Sequence, residues 1–198
     1  MIEKLRMRAR SMELPTLSPP SRGLSGLYAR AMVEVRPMRV DDVTLIARWD
    51  EDPAVLAALG GRAMDWWDWA VEVDRDLAWR ELMIAEEAGR AIGFVQLTDA
   101  HEEESQYWGA VEPGTWTIDI WIGAPGDRGR GLGAQLMTTV VERCFNVHGA
   151  SQILIDPMVT NRRAIAFYER LAFEPVGERD FDGDRCLVMR LVRGSTSS

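Results

Sequence analysis

The sequence predicts an α+β domain, because its patterns follow the order strand, helices, three strands, helix, strand, helix and two strands. Three observations carry this prediction. Residues 115–123 alternate strictly between the two faces of a strand, with the apolar residues Trp116, Ile118, Ile120 and Ile122 on one face. Residues 131–146 place apolar side chains at helical spacing. Residues 87–90 form a hairpin turn signal between two short strand patterns.

The N-terminal half of this order begins with an alternating strand over residues 33–38. Asp41 is the expected N-cap of the amphipathic helix that follows. Pro53 begins a second helical piece that runs through residue 59. A third helical segment over residues 66–79 is dense in tryptophan, and its spacing indicates core packing for most of these rings. The hairpin strands and the acidic loop after them complete this half, over residues 81–86, 91–98 and 101–112.

The C-terminal half contains the remaining strands and helices. A short apolar strand is predicted over residues 151–155 and a helix over residues 161–171. Two final strands, residues 173–179 and 185–191, are joined by a turn at 182–184. Residues 1–31 are rich in proline, glycine and serine and are predicted to be a flexible extension, so the folded domain is expected over residues 32–194.

The composition is typical of a soluble globular protein. The chain has 198 residues, 46% of them hydrophobic. No apolar run approaches the roughly 20 residues that cross a bilayer. The basic N-terminus has no apolar run behind it, which is unlike a secretory signal. A cytoplasmic location without a membrane partner is therefore expected.

The net charge and the small numbers of cysteine and histidine limit the kinds of ligand and catalytic group that we expect. The net charge of −8 argues against nucleic-acid binding, which needs clustered cations. It is compatible with a cationic ligand, although surface acid that only aids solubility is the simpler explanation, and charge alone does not separate the two. Two cysteines and two histidines in unrelated contexts predict neither a metal site nor a disulfide framework. Catalysis would have to use carboxylates, hydroxyls, backbone amides or a borrowed cofactor.

A glycine-rich segment between a strand and a helix is the most informative motif. Gly129, Gly131 and Gly133 allow tight turns and a close ligand approach, and the unpaired amides of a helix start attract a pyrophosphate. Arg128 and Arg130 are expected to add mobile positive charge at its rim. The segment is not a Walker A loop, and it is a poor dinucleotide fingerprint. By itself it is also compatible with a simple strand-to-helix connection.

Two spaced signatures make the interpretation specific. Arg128-x-x-Gly131-x-Gly133 resembles the coenzyme A motif of the GNAT acetyltransferase superfamily. Residues 161–173 resemble its second signature, with Asn161, then Tyr168 in a Tyr-Glu pair, and a closing Phe173. The resemblance covers roughly residues 33–192. It implies a mixed, mostly antiparallel central sheet of six to seven strands, flanked by helices and splayed between its two central strands.

The resemblance also implies a cofactor site for acetyl-CoA and no metal. The pantetheine arm would bond to the backbone of the strand before the glycine-rich segment 127–133 (the cradle), around Trp121 and Ile122, and Asn161 would contact it. Tyr168 would lie by the sulfur and protonate the leaving thiolate, which leaves better with an O–H donor at hand. The phosphates would lie on Arg128, Gly129, Arg130, Gly131, Leu132 and Gly133.

The acceptor is the last inference from the sequence. A protonated amine must lose a proton, so a carboxylate is needed. Asp119 and Asp156 are candidates from pattern, though an exposed strand face and an Asp-Pro turn explain them equally. Both are similar in position to the aspartates of aminoglycoside 6′-N-acetyltransferases, where the residue matching Asp119 is the proposed base and both bind amino groups of the drug. The resemblance implies further drug contacts from Glu104, Tyr107 and Trp108.

Other acceptors and roles stay open. The related enzymes carry a Trp-Trp pair where this chain has Ala58-Leu59 before two glycines, which changes one expected drug wall. Similar chains acylate lysine or hydroxylysine in siderophore assembly, polyamines, or protein N-termini. A sensor of acyl-CoA without catalysis is the non-enzymatic alternative. A monomer or a homodimer is expected.

Overall fold

The computed structural model describes residues 33–58, 68–181 and 183–194. The predicted extension over residues 1–31 lies outside the described residues, as do Leu59 and the two glycines after it.

The described elements follow the predicted order. The seven strands are β1 Val33–Pro37, β2 Arg80–Glu87, β3 Arg90–Asp99, β4 Thr115–Ile122, β5 Gln152–Ile155, β6 Glu174–Phe181 and β7 Asp184–Val192. The five α-helices are α1 Val43–Asp50, α2 Pro53–Ala58, α3 Trp69–Val73, α4 Leu132–Asn146 and α5 Arg162–Glu169. Short 3-10 turns precede α1 (Val40–Asp42) and α4 (Pro125–Asp127).

The strands form one sheet in the order β1-β2-β3-β4-β5-β7-β6. Every neighbouring pair is antiparallel except β4 and β5, which are parallel. β4 pairs with β3 along seven residues, from Trp116 to Ile122. It pairs with β5 only from Thr115 to Thr117. The sheet is therefore splayed between its central strands, as the resemblance implies.

The core lies on both faces of the sheet. On one face, Leu136, Met137 and Val140 of α4 pack among buried strand residues such as Val95 and Ile118. On the other face, the helical residues Ile46, Trp49 and Trp69 pack on Ile84 and Phe94. Because β-strand side chains alternate, Asp119 and Trp121 of β4 share this second face with their register partners Gln96 and Phe94.

Two details of the N-terminal half differ from prediction. The helical segment expected over residues 66–79 is, within the described residues, only α3 followed by turns to Trp79. Asp41 is not a helix cap. The neighbouring Asp42 is the buried residue, and its carboxylate binds the Arg39 amide and the Arg36 guanidinium. An exposed Asp41 and a buried Asp42 are adjacent in sequence, so pattern alone did not separate them.

Within the described part of the chain, no helix is both long and apolar enough to cross a membrane.

Candidate active site

A cleft of about 1030 Å³ opens where β4 and β5 separate. Its walls come from the unpaired half of β4, the loop before α4, the end of β5 and one side of α5. Backbone groups of β4 beyond Thr117 have no ladder partner on the β5 side. They are available to a ligand with amide groups of its own, since buried backbone groups require partners.

The glycine loop lies at one end of this cleft. Gly129 (φ +78°) and Gly131 (φ +83°) adopt the left-handed conformation, which favours glycine. Gly131 is the N-cap of α4 and has no side chain to cap it. Within the described residues, no acceptor is present for the amides of Gly131, Leu132, Gly133 and Ala134, and these amides carry the positive end of the helix dipole. This arrangement is suited to a diphosphate.

The expectation of mobile cations at this rim is wrong. The Arg128 guanidinium donates to the carbonyls of Ile122 and Gly123 and pairs with Asp52 at 2.8 Å. Arg130 pairs with Glu87 and with Asp127, both at 2.9 Å. These side chains hold the loop against the sheet, because each positive charge already has an acidic partner.

Two other cations line the cleft without such partners. Arg163 and Arg170 of the α5 region are exposed in the cleft lining, and neither forms an ion pair with any described residue. The sequence motif did not single them out, because arginines are common on exposed helix faces. Because they line the same cleft as the glycine loop, they are the available counter-charges for an anionic ligand.

Leu132 and Asn161 were both predicted to contact the cofactor, but only part of each residue is accessible to a ligand. The Leu132 side chain is buried in the core, so only its backbone faces a ligand. Asn161 lines the cleft and is the N-cap of α5. Its side-chain oxygen Oδ1 accepts a hydrogen bond from the Ala164 amide at 3.0 Å. Its side-chain NH₂ group is the part left for a ligand.

Tyr168 lines the same cleft from α5. Its ring packs edge-on against Phe167 and Phe173, at 5.2 and 5.8 Å between centroids. Burial, together with the charges of Asp119 and Asp156, raises the pKa of the Tyr168 hydroxyl well above its usual value. The hydroxyl therefore stays protonated near neutral pH and can act as a proton donor.

Asp119 and Asp156 come together at the opposite end of the cleft. The Asp119 side chain is exposed to solvent within the cleft, but the cleft walls surround it with protein atoms. This crowding, and then the charge of Asp156, raise the pKa of Asp119 to about 7. Burial raises the pKa of Asp156 to about 6, although a hydrogen bond from Tyr107 opposes the shift. Paired carboxylates that titrate near neutrality are suited to proton transfer.

The acidic loop contributes differently from the prediction. Tyr107 lines the cleft, and its hydroxyl donates to Asp156 at 2.7 Å. Trp108 is buried at 6% exposure against Phe181 and lines a smaller cavity beside the cleft, together with Asp119 and Asp156, so its expected role as a ligand contact stays a prediction. Glu104 is exposed and also lies outside the cleft lining. A loop that turns sharply exposes only some of its side chains to the cleft.

Further cleft residues were not anticipated from the sequence. Gln96 of β3 is the register partner of Asp119, and Phe181 at the end of β6 stacks on Tyr107. Trp69 and Phe94 form an aromatic wall with Trp121. The Trp121 indole N–H is buried and has no partner among the described residues. Strand pairing between distant parts of the chain brings these residues together, and the local sequence patterns do not predict such pairing.

The comparisons with known proteins agree with this geometry. The acetyltransferase (GNAT) domain model matches residues 39–181. Aminoglycoside N(6′)-acetyltransferase type 1 of Klebsiella pneumoniae is 34% identical over 90 residues, which are 45% of each chain. The kanamycin resistance protein of Rhizobium radiobacter is 36% identical over 76 residues, which are 38% of this chain and 70% of that protein. The match thus spans about half the length of the first of these relatives.

A solved structure extends the similarity over most of the chain. The structure of AAC(6′)-Ib in complex with ribostamycin and coenzyme A has a TM-score of 0.73 and 25% identity, and the match covers 84% of this chain and 99% of that one. Spermidine N-acetyltransferase from Vibrio cholerae shares the fold, with a TM-score of 0.64 and 18% identity over 81% of this chain and 95% of that one. With the splayed sheet, the cradle and the matched domain model together, the chain belongs to the GNAT acetyltransferase domain family.

Proposed function

We propose that this protein transfers the acetyl group of acetyl-CoA to a primary amine, and that the acceptor is the 6′-amino group of an aminoglycoside antibiotic. One observation carries the proposal. A single cleft joins free helix-start amides, an unpaired strand edge, a protonated tyrosine and two carboxylates of raised pKa. These are the parts that a thioester donor and a cationic amine require.

The cofactor would lie along the unpaired part of β4. Its diphosphate would occupy the amides at the start of α4, and Arg163 and Arg170 would face its phosphates. The amide groups of its pantetheine arm would pair with the free backbone of β4 beyond Thr117, as an additional strand would. The Ile122 carbonyl is already used by Arg128, so this pairing would end before it.

Transfer would proceed by direct attack. Asp119 takes a proton from the ammonium group, and the free amine forms a C–N bond to the thioester carbonyl carbon. The tetrahedral intermediate breaks its C–S bond, and Tyr168 donates a proton to the thiolate, which leaves as free coenzyme A. The nitrogen releases its second proton, which restores the Tyr168 hydroxyl, and the proton held by Asp119 passes to solvent. The products are the acetamide, the thiol and one net proton.

The acceptor end favours a compound with several amines and sugar-like rings. Asp119 and Asp156 are uncompensated by any cation among the described residues. Tyr107, Trp69 and Phe181 supply aromatic faces close to them. The names of the relatives point the same way: aminoglycoside acetyltransferases and a kanamycin resistance protein are among them.

A polyamine is the second candidate acceptor. Spermine/spermidine N(1)-acetyltransferase of Bacillus subtilis is 28% identical over 64 residues, which are 32% of this chain and 42% of that protein. Two carboxylates at the end of an open cleft would also hold a linear polyamine. Siderophore precursors are less favoured, because His101 and His148 bind Val111 and Glu81 and neither lines the cleft.

Release of free thiol from acetyl-CoA tests this function. Kanamycin, spermidine and a short peptide are compared as acceptors, together with neomycin and paromomycin, which differ only in an amino or a hydroxyl group at the 6′ position. We expect turnover with kanamycin and neomycin, and at least about tenfold less with paromomycin. Turnover confined to spermidine would replace the aminoglycoside with a polyamine. Cofactor binding without turnover on any acceptor would indicate a sensor.

A further inference from the structure

Several hydrogen bonds within the loop that carries Tyr107 hold its backbone. The Glu103 carboxylate accepts hydrogen bonds from the amides of Ser105, at 2.6 Å, and Tyr107, at 3.1 Å. The Gly109 amide then closes a turn on the Gln106 carbonyl at 2.7 Å. These bonds hold the backbone at Tyr107 independently of the contacts that its side chain makes.

The ring of Tyr107 is held as well. It stacks on Phe181 with 4.6 Å between centroids and 13° between planes, and it meets the edge of Trp108 at 5.8 Å. The Arg179 guanidinium lies 4.7 Å from the centre of the Phe181 ring and donates to the Trp108 carbonyl at 2.6 Å. The loop and the end of β6 thus form one packed unit behind the tyrosine.

This unit aims a hydroxyl at only one of the two carboxylates. Tyr107 donates to Asp156 Oδ2 at 2.7 Å. Asp119 receives no hydrogen bond from the described residues. Burial and the charge of Asp156 raise the pKa of the Tyr107 hydroxyl far above neutrality, so it remains a donor. A donated hydrogen bond stabilises the ionised form of a carboxylate.

No other side chain among the described residues forms a hydrogen bond with either carboxylate, so the asymmetry stands. Both carboxylates and Tyr107 also border a side cavity of about 250 Å³ next to the cleft. The titratable groups that face the pair are Tyr107 from the loop, Tyr168 from α5, Asp184 and Cys186 from β7, and Arg80 and Glu103 across the side cavity. Arg80 is itself paired with Glu72 at 2.6 Å.

We propose that Tyr107 is a positioning residue that gives the two carboxylates different roles: its hydroxyl keeps Asp156 ionised to hold a cationic group of the acceptor and leaves Asp119 to accept the proton. The proposal rests on the proposed amine acetylation. Its direction agrees with the surroundings of the two groups: burial and the charge of Asp156 raise the pKa of Asp119 to about 7, whereas burial, opposed by the Tyr107 hydrogen bond, raises the pKa of Asp156 to about 6.

A titration without any substrate tests the assignment directly. Aspartate carboxyl groups labelled with ¹³C are followed by NMR in the full chain and in Tyr107→Phe, with Asp156→Asn to identify the signal. Tyr107→Phe keeps the ring and removes only the hydroxyl. We expect the Asp156 midpoint to rise by about one pH unit. The matched control Tyr168→Phe should leave it in place. An unchanged Asp156 midpoint in Tyr107→Phe would overturn the proposal.

Kinetics then connect the assignment to function. For Tyr107→Phe we expect the KM for the amine to rise about fivefold at pH 6 and to be near that of the wild type at pH 8, with kcat at pH 8 within about twofold. In an Asp156→Asn background the same change should have no further effect. A loss that is equal at all pH values, or that persists without Asp156, would show a structural role only. If no aminoglycoside is acetylated, the proposed function fails, and the titration result still stands.

Discussion

The two ends of the cleft use carboxylates in opposite ways. At the cradle, Asp52 and Asp127 are each paired with arginine, and these partners lower their pKa values. At the acceptor end, Asp119 and Asp156 have no arginine partner among the described residues, and burial raises their pKa values. The same type of side chain therefore stabilises the loop at one end and has a raised pKa at the other. The presence or absence of an arginine partner makes this difference.

The difference also explains how an acidic protein can bind an anionic cofactor. The arginines of the glycine loop are neutralised by acids, so they do not supply net charge to a phosphate. The free amides remain for that purpose, together with Arg163 and Arg170, which form no ion pair with any residue that the structure describes. A count of arginines in the motif overstates the charge that a ligand meets.

The largest expected effect is at Asp119. Asp119→Asn should reduce kcat by about 100- to 10,000-fold, because the base is lost, and should leave coenzyme A affinity within about twofold. In the wild type, kcat/KM should rise as the pH increases through about 7, since the base must be ionised. Asp74→Asn, an exposed residue that does not line the cleft, is the control. Full activity in Asp119→Asn would remove Asp119 as the base.

The cradle end is tested at Gly133. A Cβ at this position would meet Phe167 and Ile122 only at ordinary contact distances of 3.8 and 3.9 Å, so the fold should accept a side chain there. Gly133→Val should nevertheless weaken coenzyme A binding at least about tenfold in calorimetry, because the side chain enters the cleft. Gly126→Val is the control in the same loop, where nothing lies within 4 Å. Equal affinities in the two variants would mean that the cofactor lies elsewhere.

The smallest effect concerns stability, and its sign should differ between the two ends. The lowered pKa of Asp127 contributes stability that is present above its unfolded pKa and is lost as the pH falls. The raised pKa of Asp119 costs stability as the pH rises from about 4 to above 7. At pH 8, Asp127→Asn should lower Tm and Asp119→Asn should raise it, each by about 1–4 °C. Shifts of the same sign would contradict the comparison.

The two ends also differ in how far the sequence predicts them. The cradle is contiguous, so the strand, the glycines and the helix start could be placed within one or two residues. The acceptor end draws Gln96, Asp119 and Phe181 from three strands and Asp156 from the position directly after a fourth. The predicted strands contained Gln96 and Asp119, whereas Asp156 and Phe181 lie one and two residues beyond the predicted strand ends. A loop of 15 residues between β3 and β4 leaves the register open, and nothing local pairs Phe181 with Tyr107.

Even where a segment was placed correctly, the contacts of its individual side chains were harder to predict than its position. Tyr107 and Trp108 are neighbours with similar composition cues, yet one faces the cleft and the other is buried. The loop backbone decides this, through Glu103 and the positive φ of Gln106 (+52°). Arg128 matches the family motif, but its bonds to strand carbonyls depend on where β4 ends.

The short ladder between β4 and β5 has a mechanical consequence. Only three residue pairs join these strands, compared with seven between β3 and β4, so the boundary between β4 and β5 (the seam) has few hydrogen bonds to hold the two halves of the sheet together. A molecule that lies along this seam becomes part of the sheet, and its binding free energy adds to the free energy of unfolding. The co-substrate would then act as a removable eighth strand, and each round of acetyl transfer would couple product release to loosening of the scaffold itself.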